Sequence, residues 1–361
     1  MNRKIKCVSI GCGKMGKYIM EYAYDKGCEI AGAFDFNPDI VGKDCGELIG
    51  KSAFGTSVYH IDELDAKLKE IKPDVALIAT RSFVRDIEDT AVICCQNGVN
   101  VVTTCDEGLY AWNSTPAVCK RIDEAAKAGN CTVTASGFQD VSYCHLVVTE
   151  AAAAHKIEKI KGSAMYNVED YGIALAEHHG VGLTDDEFEE KIAAADKISI
   201  EERKKLIENS EFHALPMWSA AGWIASNLGL SVKSQIQICT PIKTDVDLNS
   251  NTMGRVMKAG EIIGMSGKSI IETEEGITIE AESIGKIYAP GEEDTNEWAI
   301  LGDPNIYVEN KKIDNRTMIC SQIVSRIVDV LNGPAGYVTT DKFNAPRYYV
   351  KPMNEYVTAI K

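Results

Sequence analysis

The chain has 361 residues, enough for two cores of ordinary size, and its 45% hydrophobic and 25% charged residues are the balance of a globular protein. A net charge of -15 argues against a nucleic-acid partner, because phosphate binding needs clustered Lys and Arg. No apolar run approaches the roughly 18 residues of a membrane span. The start, Met1 to Lys6, enters a strand-like segment with no leader, so a cytoplasmic location is expected.

In chain order, Lys4 to Ile10 reads as a strand ending in glycines, and Lys14 to Lys26 as a helix. Glu29 to Phe34 is a second apolar run that ends at Asp35. A helical segment, Ile61 to Glu70, precedes a third strand at Val75 to Ala79. The helix Asp86 to Gln96 is stopped by Asn97-Gly98, and strands at Val99 to Thr103 and Thr132 to Ala135 flank a helix from Thr115 to Ala128. Short apolar strands alternating with helices predict a parallel sheet covered on both faces, a doubly wound α/β Rossmann domain over residues 1–140.

The pattern changes near Phe138. A helix from about Ser142 to His155 is followed by strand-like stretches at Ile157 to Tyr166, Val232 to Thr240, Gly254 to Met265 and Ile270 to Glu280. An acidic helical stretch, Asp185 to Asn209, and helices at Pro216 to Leu228 and Met318 to Leu331 complete an α+β domain over 141–332, expected to bind substrate and to form a dimer. Residues 333–361 are expected to pack back on the first domain. Twelve cysteines show no C-x-x-C pair and no zinc spacing. Most lie in or beside apolar runs and read as buried, reduced thiols.

Gly11-Cys12-Gly13-Lys14-Met15-Gly16 matches G-x-G-x-x-G in the right context, directly after a buried strand and opening a helix. Gly11 permits the turn, Gly13 the approach of a pyrophosphate, and Gly16 close packing of helix on strand. The phosphates would sit at the positive end of the helix dipole, over Lys14 and Met15. Asp35 can accept both ribose hydroxyls and repels a 2′-phosphate, and Phe36-Asn37 supply no cation, so NAD is favoured over NADP. Thr80, Arg81 and Ser82 follow the third strand and should border the nicotinamide half of the cofactor.

Several runs carry a resemblance. They are Asp74 to Phe83, Val101 to Glu107, Gly180-Val181-Gly182-Leu183-Thr184 before an acidic helix, His213 to Ser219, and Ala335 to Thr340. Together they resemble 2,4-diaminopentanoate dehydrogenase and the native amine dehydrogenases, within the superfamily of dihydrodipicolinate reductase. The resemblance implies NAD(P)-dependent oxidative deamination of a small amine or diamine, reversible as reductive amination of a ketone. It implies a catalytic Glu after the strand Val99 to Thr103, matched by Glu107, with Asp106 as its rival. It also implies a substrate pocket with Phe138, Tyr166 and His213.

Two other readings stay open. Glu177-His178-His179 is similar to the His-His signature of dihydrodipicolinate reductase, an imine reductase, but the basic continuation that grips a dicarboxylate is replaced by Gly180 to Asp186. A non-catalytic NAD(H)-binding regulator on the same fold is the other, although no basic DNA-binding module is evident.

Overall fold

Short, largely buried apolar runs form the strands of the first sheet. In the computed structural model, which describes residues 3–358, the strands are β1 (Lys6–Ile10), β2 (Glu29–Asp35), β3 (Val58–His60), β4 (Val75–Ile78), β5 (Asn100–Thr103) and β6 (Thr132–Ala135). Their order is β3-β2-β1-β4-β5-β6, all pairs parallel. A two-residue strand near the end of the chain, Gly336–Tyr337, extends the β6 edge in parallel.

The apolar pattern predicts five strands here and gives no sign of β3. That edge strand has three residues and only one fully buried side chain, so it leaves no apolar run to recognise. Apolar clusters cover both faces. One gathers Ile19, Met20, Ile323 and Ile327, and the other Val84, Ile87, Val118 and Ile122.

The chain divides into two units. The first takes residues up to Val141, Ile207–Phe212 and those from Asp314 onward; the second takes Ser142–Leu206 and His213–Ile313. The helix Asn315–Asn332, expected within 141–332, therefore belongs to the first unit. The reason is local. Cys320, Ile323, Val324 and Ile327 form an i, i+3, i+4, i+7 stripe that packs on the first sheet and on the helix Lys14–Asp25.

The second unit is built on β7 (Lys156–Asn167), β8 (Val232–Lys243), a small ribbon of β9 (Leu248–Ser250) and β10 (Arg255–Met257), then β11 (Ile262–Thr273), β12 (Thr278–Lys286), β13 (Thr295–Asp303) and β14 (Ile306–Asn310). The six-stranded sheet runs β14-β13-β7-β12-β11-β8, with β7 and β12 parallel and the other neighbours antiparallel.

Several expectations are corrected here. Gly254 to Met265 is not one strand but β10, a turn and the start of β11. Ile270 to Glu280 spans the β11–β12 hairpin, and β13 and β14 were missed. Alternating patterns run on through a tight turn such as Glu274-Glu275-Gly276, so periodicity alone cannot place the break. The expected helix Ser142 to His155 begins instead with a π-helical turn, Asp140–His145, and continues as Leu146–Ala151. The acidic stretch resolves into helices Asp185–Lys191 and Ile200–Glu208.

The helix Pro216–Asn227 is buried along most of its length and packs on β11 and β12, covering one face of this sheet. The other face carries the register rows Ile236, Ile270, Glu280, Lys161, Ala299 and Tyr307, and Ile238, Lys268, Glu282, Ser163, Glu297 and Glu309.

Candidate functional site

The loop after β1 has the geometry of a phosphate cradle. Gly11 adopts φ +89°, and a Cβ there would lie 2.6 Å from the Ala79 carbonyl oxygen. At Gly16 a Cβ would lie 1.9 Å from the Gly11 carbonyl oxygen, so only glycine lets the helix Lys14–Asp25 start this close to the strand. Gly13, by contrast, is exposed, and a Cβ there meets no protein atom within 4 Å. It caps the helix without a side-chain acceptor, so no capping side chain occupies the first amides of the helix. Lys14 is exposed beside it and Met15 half-buried. These features fit a dinucleotide: a turn closed by glycine on the protein side and open on the ligand side.

Asp35 ends β2 and is 8% exposed. Its Oδ2 accepts from the Cys12 N–H at 2.6 Å and its Oδ1 from the Asn37 N–H at 2.9 Å. The carboxylate is thus fixed against the glycine loop, with lone pairs left for further donors. Phe36 beside it is 74% exposed. The sequence pattern identified Asp35 but not its bond to Cys12, which depends on the loop's path.

Thr80, Arg81 and Ser82 are exposed after the carboxyl end of β4. Two carboxylates follow β5, and they differ. Glu107 is 3% exposed; its Oε2 accepts from the Val84 N–H at 2.7 Å and its Oε1 from the Ser114 hydroxyl at 2.7 Å. Val84 opens the helix Val84–Gln96, so Glu107 satisfies a donor at that helix start. Asp106 is half-buried, accepts from Gln139 Nε2 at 2.8 Å, and is also bonded by the Ser82 side chain. Burial raises both carboxyl groups above the ordinary carboxylate range, against the lowering effect of these hydrogen bonds. Gln139 was not singled out by sequence, because a lone Gln after β6 carries no spacing signal.

Phe138 is 4% exposed in the first unit. In the second unit, His179 Nδ1 lies 2.8 Å from the Leu175 carbonyl oxygen, which can only accept. The Nδ1–H tautomer follows, leaving Nε2 to accept from the Tyr166 hydroxyl at 2.6 Å. Burial lowers the His179 pKa, which keeps the ring neutral. His178, on the helix Ile173–His178, is exposed. His213 is exposed just before the helix Pro216–Asn227, and its carbonyl accepts from Gln237 Nε2 at 3.2 Å.

A groove of about 560 Å³ lies at the opposite, amino-terminal edge of the first sheet, lined by Lys72, Asp74, Asn100 and Thr132 among others. Asn100 there bonds both the Asp74 carbonyl and the Thr132 N–H. Ligands of open parallel sheets bind at the carboxyl ends, so this groove is not the cofactor site. All twelve cysteines are buried, and none is in a disulfide. Among the described residues no His, Cys, Asp or Glu group is arranged to hold a metal ion, and no helix is long and apolar enough to cross a membrane.

Comparison with known proteins extends this picture. Residues 142–359 match the 2,4-diaminopentanoate dehydrogenase C-terminal domain, and residues 2–108 match a CoA binding domain. The chain is 24% identical to 2,4-diaminopentanoate dehydrogenase of Acetoanaerobium sticklandii, over 95% of this chain and 94% of that protein. The structure of an amine dehydrogenase from Mycobacterium smegmatis superposes with a TM-score of 0.84 at 33% identity, covering 97% of this chain and 98% of that one. A 4-hydroxy-tetrahydrodipicolinate reductase of Methanocaldococcus jannaschii is 36% identical, but over only 25% of this chain and 33% of that protein.

Proposed function

Because this chain belongs to the family of 2,4-diaminopentanoate dehydrogenase and the amine dehydrogenases, we propose that it oxidatively deaminates a small amine or diamine with a nicotinamide cofactor. The observation that carries the reading is the cradle of Gly11, Gly13 and Gly16 with Asp35 bound to the loop, joined in one chain to the family's C-terminal domain. A partial likeness to the reductase of dihydrodipicolinate type does not compete with matches that span nearly the whole chain.

The amides at the start of the helix Lys14–Asp25 hold the diphosphate, and Asp35 holds the adenosine ribose. The bound cofactor supplies a hydride acceptor. Thr80, Arg81 and Ser82 border it at the end of β4, and a carboxylate from the segment after β5, Glu107 or its neighbour Asp106, handles the proton of the attacking water. Phe138, Tyr166 and His213 are the side chains proposed to meet substrate. With its hydroxyl hydrogen committed to His179, Tyr166 keeps lone pairs that can accept from a substrate ammonium.

NAD is the proposed cofactor, since a 2′-phosphate would meet the Asp35 carboxylate with Phe36 and Asn37 beside it. Asp35→Ala is expected to weaken NAD+ binding about 10–100-fold, the effect of losing hydrogen bonds to a charged group, while NADP+ binding improves relative to it. Calorimetric titration with each nucleotide checks this; an unchanged preference would remove Asp35 from the ribose site.

The uncovered face of the six-stranded sheet mixes Lys159, Lys161 and Lys268 with Glu280, Glu282 and Glu297, a pattern that can complement a second copy of itself. We propose a homodimer, and sedimentation should give the mass of two chains. The function is tested by a screen of short amines and diamines with NAD+ and NADP+, read as reduced nicotinamide. Nucleotide binding without turnover on any amine would contradict it.

A further inference from the structure

We propose that Tyr337 is a positioning residue for the reaction: its hydroxyl is a splint that holds the main chain of the segment after β5, which carries Asp106 and Glu107, in its bent course. The assignment rests on the deaminase reading above and deepens it, whichever of the two carboxylates handles the proton. Behind it stands one arrangement, a tyrosine from near the end of the chain whose hydroxyl is inserted between two short turns of that segment.

Residues 335–340 take no part in the site described above, yet their path is closely defined. The strand Gly336–Tyr337 pairs in parallel with β6, with the Gly336 N–H donating to the Cys131 carbonyl at 3.0 Å and the Val338 N–H to the Val133 carbonyl at 2.9 Å. The Thr134 hydroxyl donates to the Val338 carbonyl at 2.6 Å. Asp123, on the helix Pro116–Ala128, accepts from the Tyr337 N–H at 3.0 Å. Gly336 has φ +136°, and a Cβ there would lie 2.6 Å from Asp123 Oδ1, so glycine is required at this step. Tyr337 is thereby delivered inward, 5% exposed, with its ring against Trp112.

The turns Glu107–Leu109 and Ala111–Asn113 are both 3-10 helical. In an unbroken 3-10 run the Ala111 N–H would bond the Gly108 carbonyl, three residues back. Instead the Tyr337 hydroxyl donates to that carbonyl at 2.6 Å and accepts from the Ala111 N–H. Tyr110, between the turns, leaves the helical region at φ -152° and ψ 66°. The bent chain brings the Ser114 hydroxyl to 2.7 Å from Glu107 Oε1. Gly108 completes the fit. A Cβ there would lie 2.7 Å from the Ala135 Cβ, so glycine lets the turn approach β6 closely enough for its carbonyl to meet Tyr337.

A buried phenol needs a partner, and a single carbonyl would satisfy it. This hydroxyl instead satisfies two main-chain groups that the bend has parted from each other, so removing it strands both. Side-chain ties elsewhere on the segment engage the carboxylates themselves: the Val84 N–H and Ser114 on Glu107, Ser82 and Gln139 on Asp106. Tyr337 fixes the backbone beside them without occupying a carboxylate oxygen. Burial holds its phenol well above the ordinary tyrosine range, so it stays un-ionised and keeps its donor.

The test compares Tyr337→Phe with Thr134→Val in the full-length protein, by kcat and KM for an accepted amine, nucleotide affinity by calorimetry, and thermal unfolding. Each removes one hydroxyl that serves the same strand, but only the first touches the segment after β5. Tyr337→Phe is expected to lower kcat about 10- to 100-fold at a temperature well below its Tm, the effect of a small displacement of reacting groups, with KM and nucleotide affinity little changed. Thr134→Val is expected to lower Tm by a few degrees, as loss of a buried hydrogen bond does, and to keep the wild-type kcat. Gly108→Ala, which presses the turn away from β6, should lower kcat as Tyr337→Phe does, and it decides the matter if the Phe variant fails to fold. The proposal is overturned if folded Tyr337→Phe or Gly108→Ala keeps the wild-type kcat. It is also overturned if Thr134→Val loses as much turnover as Tyr337→Phe, which would make the effect a property of the strand. Wild type that binds nucleotide but turns over no amine removes the deaminase reading itself, a result distinct from any variant outcome, and the proposal falls with it.

Discussion

Replacing Arg326 by Ala is expected to destabilise the first unit by about 3–5 kcal/mol, the cost of leaving a buried charge without its partner. Arg326 and Asp140 are both fully buried. The guanidinium donates through Nε to Asp140 Oδ2 at 2.8 Å and through Nη2 to Oδ1 at 3.0 Å. Its Nη1 donates to Asp329 at 2.8 Å and to the Asn344 carbonyl at 2.9 Å, and the Ser136 hydroxyl completes the Asp140 shell at 2.7 Å.

This network joins the helix Asn315–Asn332 to the segment that follows β6, and so helps hold Gln139 and the carboxyl edge of the sheet. For a unit of this size the loss corresponds to a fall in Tm of roughly 10 °C. The double replacement Asp140→Leu with Arg326→Leu removes both charges together and should recover much of the stability. Thermal unfolding of the three proteins decides the matter. A single variant as stable as the wild type would show that the pair carries no structural load.

The second large effect concerns the glycine loop, where two substitutions should separate folding from binding. A side chain at Gly16 has nowhere to go, because its Cβ falls 1.9 Å from the Gly11 carbonyl oxygen. Gly16→Val must therefore push the helix Lys14–Asp25 off the strand. A displacement of an ångström or so is enough to weaken nucleotide binding by about 100-fold, together with a loss of stability. Gly13→Val is different. Its Cβ meets no protein atom within 4 Å, so the fold should tolerate it. The side chain would fill the space the diphosphate needs, so binding falls by a similar factor while Tm stays put. If Gly13→Val binds nucleotide normally, the diphosphate does not lie over this loop.

The sequence was most informative where one physical demand fixes residue type. Strands buried on both faces must be apolar throughout, which made β1, β2, β4, β5 and β6 visible, and a phosphate cradle demands glycine, which marked residues 11, 13 and 16. It was least informative where identity is decided by direction. Asp106 and Glu107 are neighbours of one chemical kind, and only the path of the loop after β5 turns one toward Val84 and Ser114 and the other toward Ser82 and Gln139. Likewise, the pairing of Tyr166 with His179 depends on the course of the chain between them, and the Asp140–Arg326 pair spans most of the sequence. The half-exposed strands β13 and β14 lacked a continuous apolar face, so their alternation looked like loop.

Tracing the hydride is the most direct test of the account. An accepted amine carrying deuterium on its amine-bearing carbon is incubated with NAD+, and the nicotinamide product is read by NMR alongside the ammonium released. The account predicts deuterium on the reduced ring in equal amount to ammonium and ketone. Reduced nucleotide without deuterium, or deuterium transfer without ammonium, would contradict it.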